Sequence, residues 1–194
     1  MMSRRNRFKV TGCREARWAA LGARRLPGTG LLMHAWLRDG GSLTRSVIAC
    51  CDDRFRVDVL RQRRGRALPS EDALLGSGSP QATLVREVKL FCGDEAWVFA
   101  RTLIPLANLR GPVNVLTRLG RRPLGEVLFS DPTTRRLAVE VARITPRHNL
   151  YASASAHLRR LPPALWGRRT LFEYCGERLL VNEIFLPQIP ELCR

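Results

Sequence analysis

Leu84-Val85-Arg86-Glu87-Val88-Lys89-Leu90-Phe91 is followed by the turn pair Gly93-Asp94 and then by Ala96-Trp97-Val98-Phe99-Ala100-Arg101-Thr102-Leu103-Ile104. Both runs are rich in β-branched and aromatic residues, and Gly-Asp suits a tight reversal, so the stretch reads as a β-hairpin. Pro105 ends it. A second pair of runs, residues 166–175 and 179–186, flanks Gly176-Glu177 and predicts another hairpin near the C-terminus. Residues 55–59 and 135–144 alternate in the same way. Strands joined by hairpins, rather than by regular helical crossovers, predict an α+β single domain: an antiparallel β-sheet with packed helices.

Around these strands the helical signals are short. Residues 31–37 read as a helix that stops at Asp39-Gly40-Gly41, and Ser42 is placed to cap a second one carrying Leu43, Val47 and Ile48. A helical turn is expected at 71–75 inside a loop-rich stretch, 62–80. Residues 109–119 should be partly helical, with Pro112 near the start, and 126–129 form a short helix or turn. Residues 149–163, rich in Ala, Ser and Arg, read as a loop insertion. Residues 1–28 read as a basic, poorly ordered arm ahead of a domain spanning 29–194.

The chain has 194 residues and a formal charge of +16, and all but two of its 33 basic residues are arginine. They are spread along the whole length, and aromatics are only 7%, whereas a nucleic-acid surface clusters its cations and interleaves them with aromatics. No nucleic-acid partner is expected. The charge reads as a solvated arginine surface whose overall field attracts anions. The N-terminus begins like a signal peptide but lacks an apolar core, and no run suffices to span a membrane, so a cytoplasmic protein is expected. The six cysteines show no Cys-x-x-Cys pair and read as free thiols; three unrelated histidines offer no metal site.

Alternation singles out three charged residues. Arg86 shares a strand face with Leu84, Val88 and Leu90; Arg101 with Trp97, Phe99 and Leu103; Glu183 with Leu179, Val181 and Phe185. An unpaired charge among such neighbours costs several kcal/mol. Either the three pair with one another as a buried salt bridge, or the arginines meet an anionic ligand, whose carboxylate their planar fork fits. Periodicity alone leaves both open, with the surplus positive charge tilting towards an anion site.

The residues resemble the bacterial chorismate pyruvate-lyases of ubiquinone biosynthesis. The resemblance runs in order through Trp36-Leu37 with Ser42-Leu43-Thr44, Val85-Arg86-Glu87-Val88, Trp97 to Pro105, Leu119-Gly120-Arg121-Arg122-Pro123-Leu124-Gly125 with Leu128-Phe129, Trp166-Gly167-Arg168-Arg169, and Leu180-Val181-Asn182-Glu183-Ile184-Phe185-Leu186-Pro187. It covers residues 31–187. It implies a monomeric antiparallel sheet with helices, a buried site, chorismate as substrate, and 4-hydroxybenzoate and pyruvate as products, with no metal or cofactor. It further implies that Arg86 holds the ring carboxylate, that Leu124 adds backbone contacts, and that Glu183 meets the ring hydroxyl and takes part in catalysis. Leu43 falls where some relatives carry a pocket-lining Met. Arg101 is a candidate for the second carboxylate. The basic arm and the segment between Phe129 and Trp166 are longer than the family pattern. Effector-sensing domains of transcription regulators resemble the same fold and are the alternative, although the arm is too short for a DNA-binding domain.

Overall fold

The structure, a computed structural model, describes residues 14–22, 28–51, 54–76 and 81–193. Within these, β1 (Ala19–Ala20), β2 (Phe55–Arg66), β3 (Ala82–Cys92), β4 (Glu95–Pro105), β5 (Arg135–Ile144), β6 (Leu165–Tyr174) and β7 (Glu177–Phe185) form one sheet in the spatial order β1-β5-β6-β7-β4-β3-β2. Every ladder is antiparallel. Five short helices pack on it: α1 (Leu31–Arg38), α2 (Leu43–Ala49), α3 (Pro69–Leu75), α4 (Leu124–Ser130) and α5 (Asn149–Ser155). Two 3-10 stretches, Leu106–Asn108 and Gly111–Arg118, lie between β4 and α4. The fold is α+β, as its two hairpins imply.

The pleat divides the core in two. One face carries Arg86 and Val88 of β3, Ala100 and Thr102 of β4, and Val181 and Glu183 of β7. It is covered by α1, α2, the longer 3-10 stretch and α4, whose Trp36, Val47, Leu116 and Leu128 are almost completely buried. The opposite face carries Val85, Leu103 and Leu180 under α3, and Phe99 and Ile184 under α5.

Several local expectations shift for identifiable reasons. The first hairpin contains a β-bulge: Phe91 pairs with Ala96, but Leu90 pairs with Val98, so Trp97 is the extra residue. In the second hairpin both Cys175 (φ 51°) and Gly176 (φ 78°) adopt left-handed backbone, which places the two-residue turn one position earlier than Gly176-Glu177. The strand beginning at Phe55 runs to Arg66, past the expected 55–59 and into the stretch read as loop. Residues 149–155 are helical rather than loop: Leu150, Tyr151 and Ala154 pack against Phe99, Ile144 and Leu186. The small Ala and Ser residues between them hid that stripe. Ser42 stands at the N-cap of α2, but its hydroxyl makes no capping bond and is buried without a hydrogen-bond partner among the described residues.

Part of the expected loose arm is built into the sheet. Arg14 bridges to His148, β1 extends the β5 edge, and Trp18 and Leu21 pack on the core. Residues 1–13 and 23–27 lie outside the described residues. The free-thiol reading is also corrected. Cys51, just after α2, and Cys92, at the end of β3, form a disulfide across a Cα separation of 5.5 Å, a normal span. Cys50, Cys175 and Cys193 remain thiols, and Cys13 is outside the described residues.

Candidate active site

A cavity of about 60 Å³ opens between the sheet and the α2–α4 layer. Leu43 and Thr44 of α2 and Leu124, Gly125 and Leu128 of α4 form its roof, and Val88, Ala100, Thr102 and Val181 its floor. The two helices approach so closely that a Cβ on Gly125 would lie 2.9 Å from the Ser42 hydroxyl and 3.0 Å from that of Thr44. Any side chain in place of the glycine of the Pro-Leu-Gly run would therefore push both hydroxyls aside. Leu124 opens α4, so its N–H is one of those that no preceding turn can receive.

Two charged side chains enter this apolar space from different strands. Arg86 lies two strands and one step along the ladder from Glu183, which is roughly 12 Å between Cα atoms at standard sheet spacings. Arg86 is 3% exposed. Its guanidinium donates to Gln62 Oε1 (3.0 Å) and to the carbonyls of Gly120 (2.8 Å) and Arg122 (3.5 Å). No carboxylate pairs with it among the described residues, and burial pushes its pKa below the usual arginine value.

Glu183 is 9% exposed and is not alone. It sits opposite Arg168 on β6, whose Nε donates to its Oε2 at 2.7 Å. Arg168 is fixed in turn by the carbonyls at the end of α1, Trp36 (3.2 Å) and Asp39 (2.6 Å). The carboxylate is thus held in place from behind, and its desolvation is offset by a charge-assisted hydrogen bond.

Arg86, Leu124, Glu183 and Leu43 therefore line one cavity, whereas Arg101 does not. The bulge at Trp97 sets Arg101 opposite Glu87 rather than Arg86, on the other face of the sheet. There it forms ion pairs with Glu71 (3.0 Å) and Glu87 (2.9 Å), while Asn182 donates to Glu71 at 2.9 Å. Burial pulls the Arg101 pKa down, but the hydrogen bonds and charges of the two glutamates outweigh this and raise it. This residue is committed to a structural network under α3. Sequence reasoning missed Arg168 and Arg136. Both lie on the cavity face of their strands, and Arg168 falls in the Gly-Arg-Arg run already singled out. Among the described residues, no group of three or more His, Cys, Asp or Glu side chains converges to hold a metal ion.

This geometry can be set beside known proteins. Residues 14–192 match the model of the chorismate lyase family. The chain belongs to that family. A chain from Thiobacillus denitrificans, named a probable chorismate pyruvate-lyase, is 41% identical over 157 residues, covering 81% of this chain and 83% of that one. One of the same name from Aromatoleum aromaticum is 44% identical over 162 residues, covering 82% and 87%. Solved structures share the fold at much lower identity. A GntR-family transcriptional regulator from Bacillus cereus superposes with a TM-score of 0.52 at 11% identity, covering 73% of this chain and 97% of that one. A ligand-binding domain assigned to a GntR-family regulator of Bordetella bronchiseptica gives 0.52 at 14%, covering 73% and 92%.

Proposed function

We propose that this member of the chorismate lyase family eliminates pyruvate from chorismate, leaving 4-hydroxybenzoate for ubiquinone synthesis. One observation carries the reading: Arg86 is buried with no carboxylate partner among the described residues, at one side of an apolar cavity whose other side holds the anchored carboxylate of Glu183. A small aromatic acid with a hydroxyl opposite its carboxylate has the complementary pattern. Its carboxylate supplies the counter-ion that Arg86 lacks, and the Leu124 N–H adds a second donor. Its ring lies among Val88, Ala100, Val181 and Leu43, and its hydroxyl meets Glu183.

In chorismate the ether oxygen is carried by the ring carbon next to the hydroxyl-bearing one. Breaking that C–O bond and removing the hydrogen from the hydroxyl-bearing carbon makes the ring aromatic, while the enolpyruvyl fragment gains the proton and becomes pyruvate. The ring change supplies the driving force. The residues hold the dianion in one conformation and stabilise charge on the departing fragment by fixed dipoles and cations. Glu183 faces the carbon that loses its proton, and Arg168 keeps the carboxylate aimed there.

The test is direct. Purified protein mixed with chorismate should produce 4-hydroxybenzoate, followed by its absorbance, and pyruvate in equal amount. Glu183→Gln, checked for intact folding by circular dichroism, should lower turnover by about a hundredfold or more, the worth of a positioned proton-transfer group. Unaltered turnover would remove Glu183 from proton transfer. The shared fold with regulator ligand-binding domains favours one second reading, a sensing module for the same class of acid. Tight 4-hydroxybenzoate binding with no conversion of chorismate would decide for it.

A further inference from the structure

Chorismate has a second carboxylate, on the enolpyruvyl group, and Arg101 is in no position to receive it. The ether sits beside the hydroxyl-bearing carbon, so a substrate anchored by Arg86 and Glu183 presents that carboxylate near Glu183. A cation for it must stand at that end of the cavity and must not already be neutralised. Arg168 is there, but its charge is matched by Glu183 itself.

Arg136 meets both conditions. It lies on β5 opposite Phe172, on the cavity face of the sheet. Its guanidinium stacks 5.0 Å above the Phe129 ring and 5.4 Å from the Phe172 ring, and both rings line the cavity. Its two terminal nitrogens donate to the carbonyls of Gly40 and Gly41, in the turn between α1 and α2. These partners are neutral, and no ion pair to Arg136 exists among the described residues. Burial, and then the nearby charge of Arg168, lower its pKa, while Glu183 and Asp39 pull it back. Arg168 is matched by its ion pair with Glu183, whereas Arg136 feels Glu183 and Asp39 only beyond ion-pair distance, so its guanidinium is the one at this end that an incoming carboxylate can pair with directly.

Resting on the lyase reading, we infer that Arg136 holds the enolpyruvyl carboxylate, and so distinguishes substrate from product. The 4-hydroxybenzoate left behind lacks that group and keeps only the contacts to Arg86, Leu124 and Glu183. Arg136 therefore contributes to substrate binding and to charge on the leaving fragment without strengthening retention of the aromatic product.

Two variants test this. Arg136→Gln removes the charge but retains an amide donor for the Gly40 and Gly41 carbonyls, and Arg136→Lys retains the charge without the fork. The expected result for Arg136→Gln is a fall in kcat/KM for chorismate of about ten- to a hundredfold, the equivalent of one charge-assisted hydrogen bond. The dissociation constant for 4-hydroxybenzoate should stay within about twofold of wild type, and Arg136→Lys should recover part of the loss. Equal weakening of chorismate and 4-hydroxybenzoate would overturn the inference, since it would mark a structural role. So would unchanged kcat/KM. Binding of 4-hydroxyisophthalate, a stable dianion with its second carboxylate on the corresponding ring carbon, keeps the two ideas separable. If wild-type protein converts no chorismate, the lyase reading falls, and Arg136 is judged by whether Arg136→Gln abolishes a preference for this dianion over 4-hydroxybenzoate. Wild-type protein showing no such preference would overturn the inference as well.

Discussion

A guanidinium as deeply buried as Arg86, with neutral oxygens for company, is held at a cost in desolvation that its three hydrogen bonds only partly offset. A bound carboxylate would offset the rest. Arg86→Ala should therefore weaken 4-hydroxybenzoate by about 1.5–3 kcal/mol, measured by calorimetric titration, because one charge-assisted pair is lost. Affinity equal to wild type would exclude Arg86 from the ligand. Arg86 and Glu183 were legible in the sequence because each interrupts an apolar alternation. Arg101 interrupts one in the same manner and belongs to the opposite face. Its assignment turned on one unpaired residue at Trp97, and no residue type there announces a bulge. Arg136 was illegible for another reason: Arg135 precedes it and the strand is half-exposed, so nothing in the alternation distinguishes it from a surface arginine.

Hairpins are the elements that sequence specifies best here, because turn residues and alternation act together. The 135–144 strand was read from alternation alone and is found at the same residues. The weakest element is α5, whose seven residues include two alanines and two serines, and whose formation depends on packing rather than on propensity. His148 sits at its N-cap position, with Nδ1 accepting the Thr145 N–H at 2.9 Å. Burial lowers the His148 pKa below the ordinary value of 6.5. Protonation would cost the folded state that acceptor, and the unfolded chain binds the proton more readily. Stability should thus rise with pH between the depressed folded value and about 6.5, and be lower below both. Chemical denaturation across this range should show that slope. His148→Asn, which retains an acceptor but does not titrate, should flatten it; an equal slope in both proteins would assign the effect to other groups.

Taken whole, the molecule couples a small apolar cavity to a strongly positive exterior. A formal charge of +16 on 194 residues was plain from the composition, but its consequence depends on the ligand. If Arg86 and Arg136 meet a dianion as proposed, the surrounding field should add long-range attraction that raises the encounter rate. Such attraction acts through solvent and is screened over about 10 Å at 0.1 M salt, whereas a contact inside the cavity is screened far less. The two contributions separate by ionic strength. Raising sodium chloride from about 0.02 to 0.3 M should lower kcat/KM for chorismate several-fold by slowing association, with kcat little changed. Neutral sucrose at matched viscosity should not reproduce the effect. A flat salt response would mean that the arginine surface is decoupled from substrate capture, and that the buried guanidinium groups alone account for recognition of the anion.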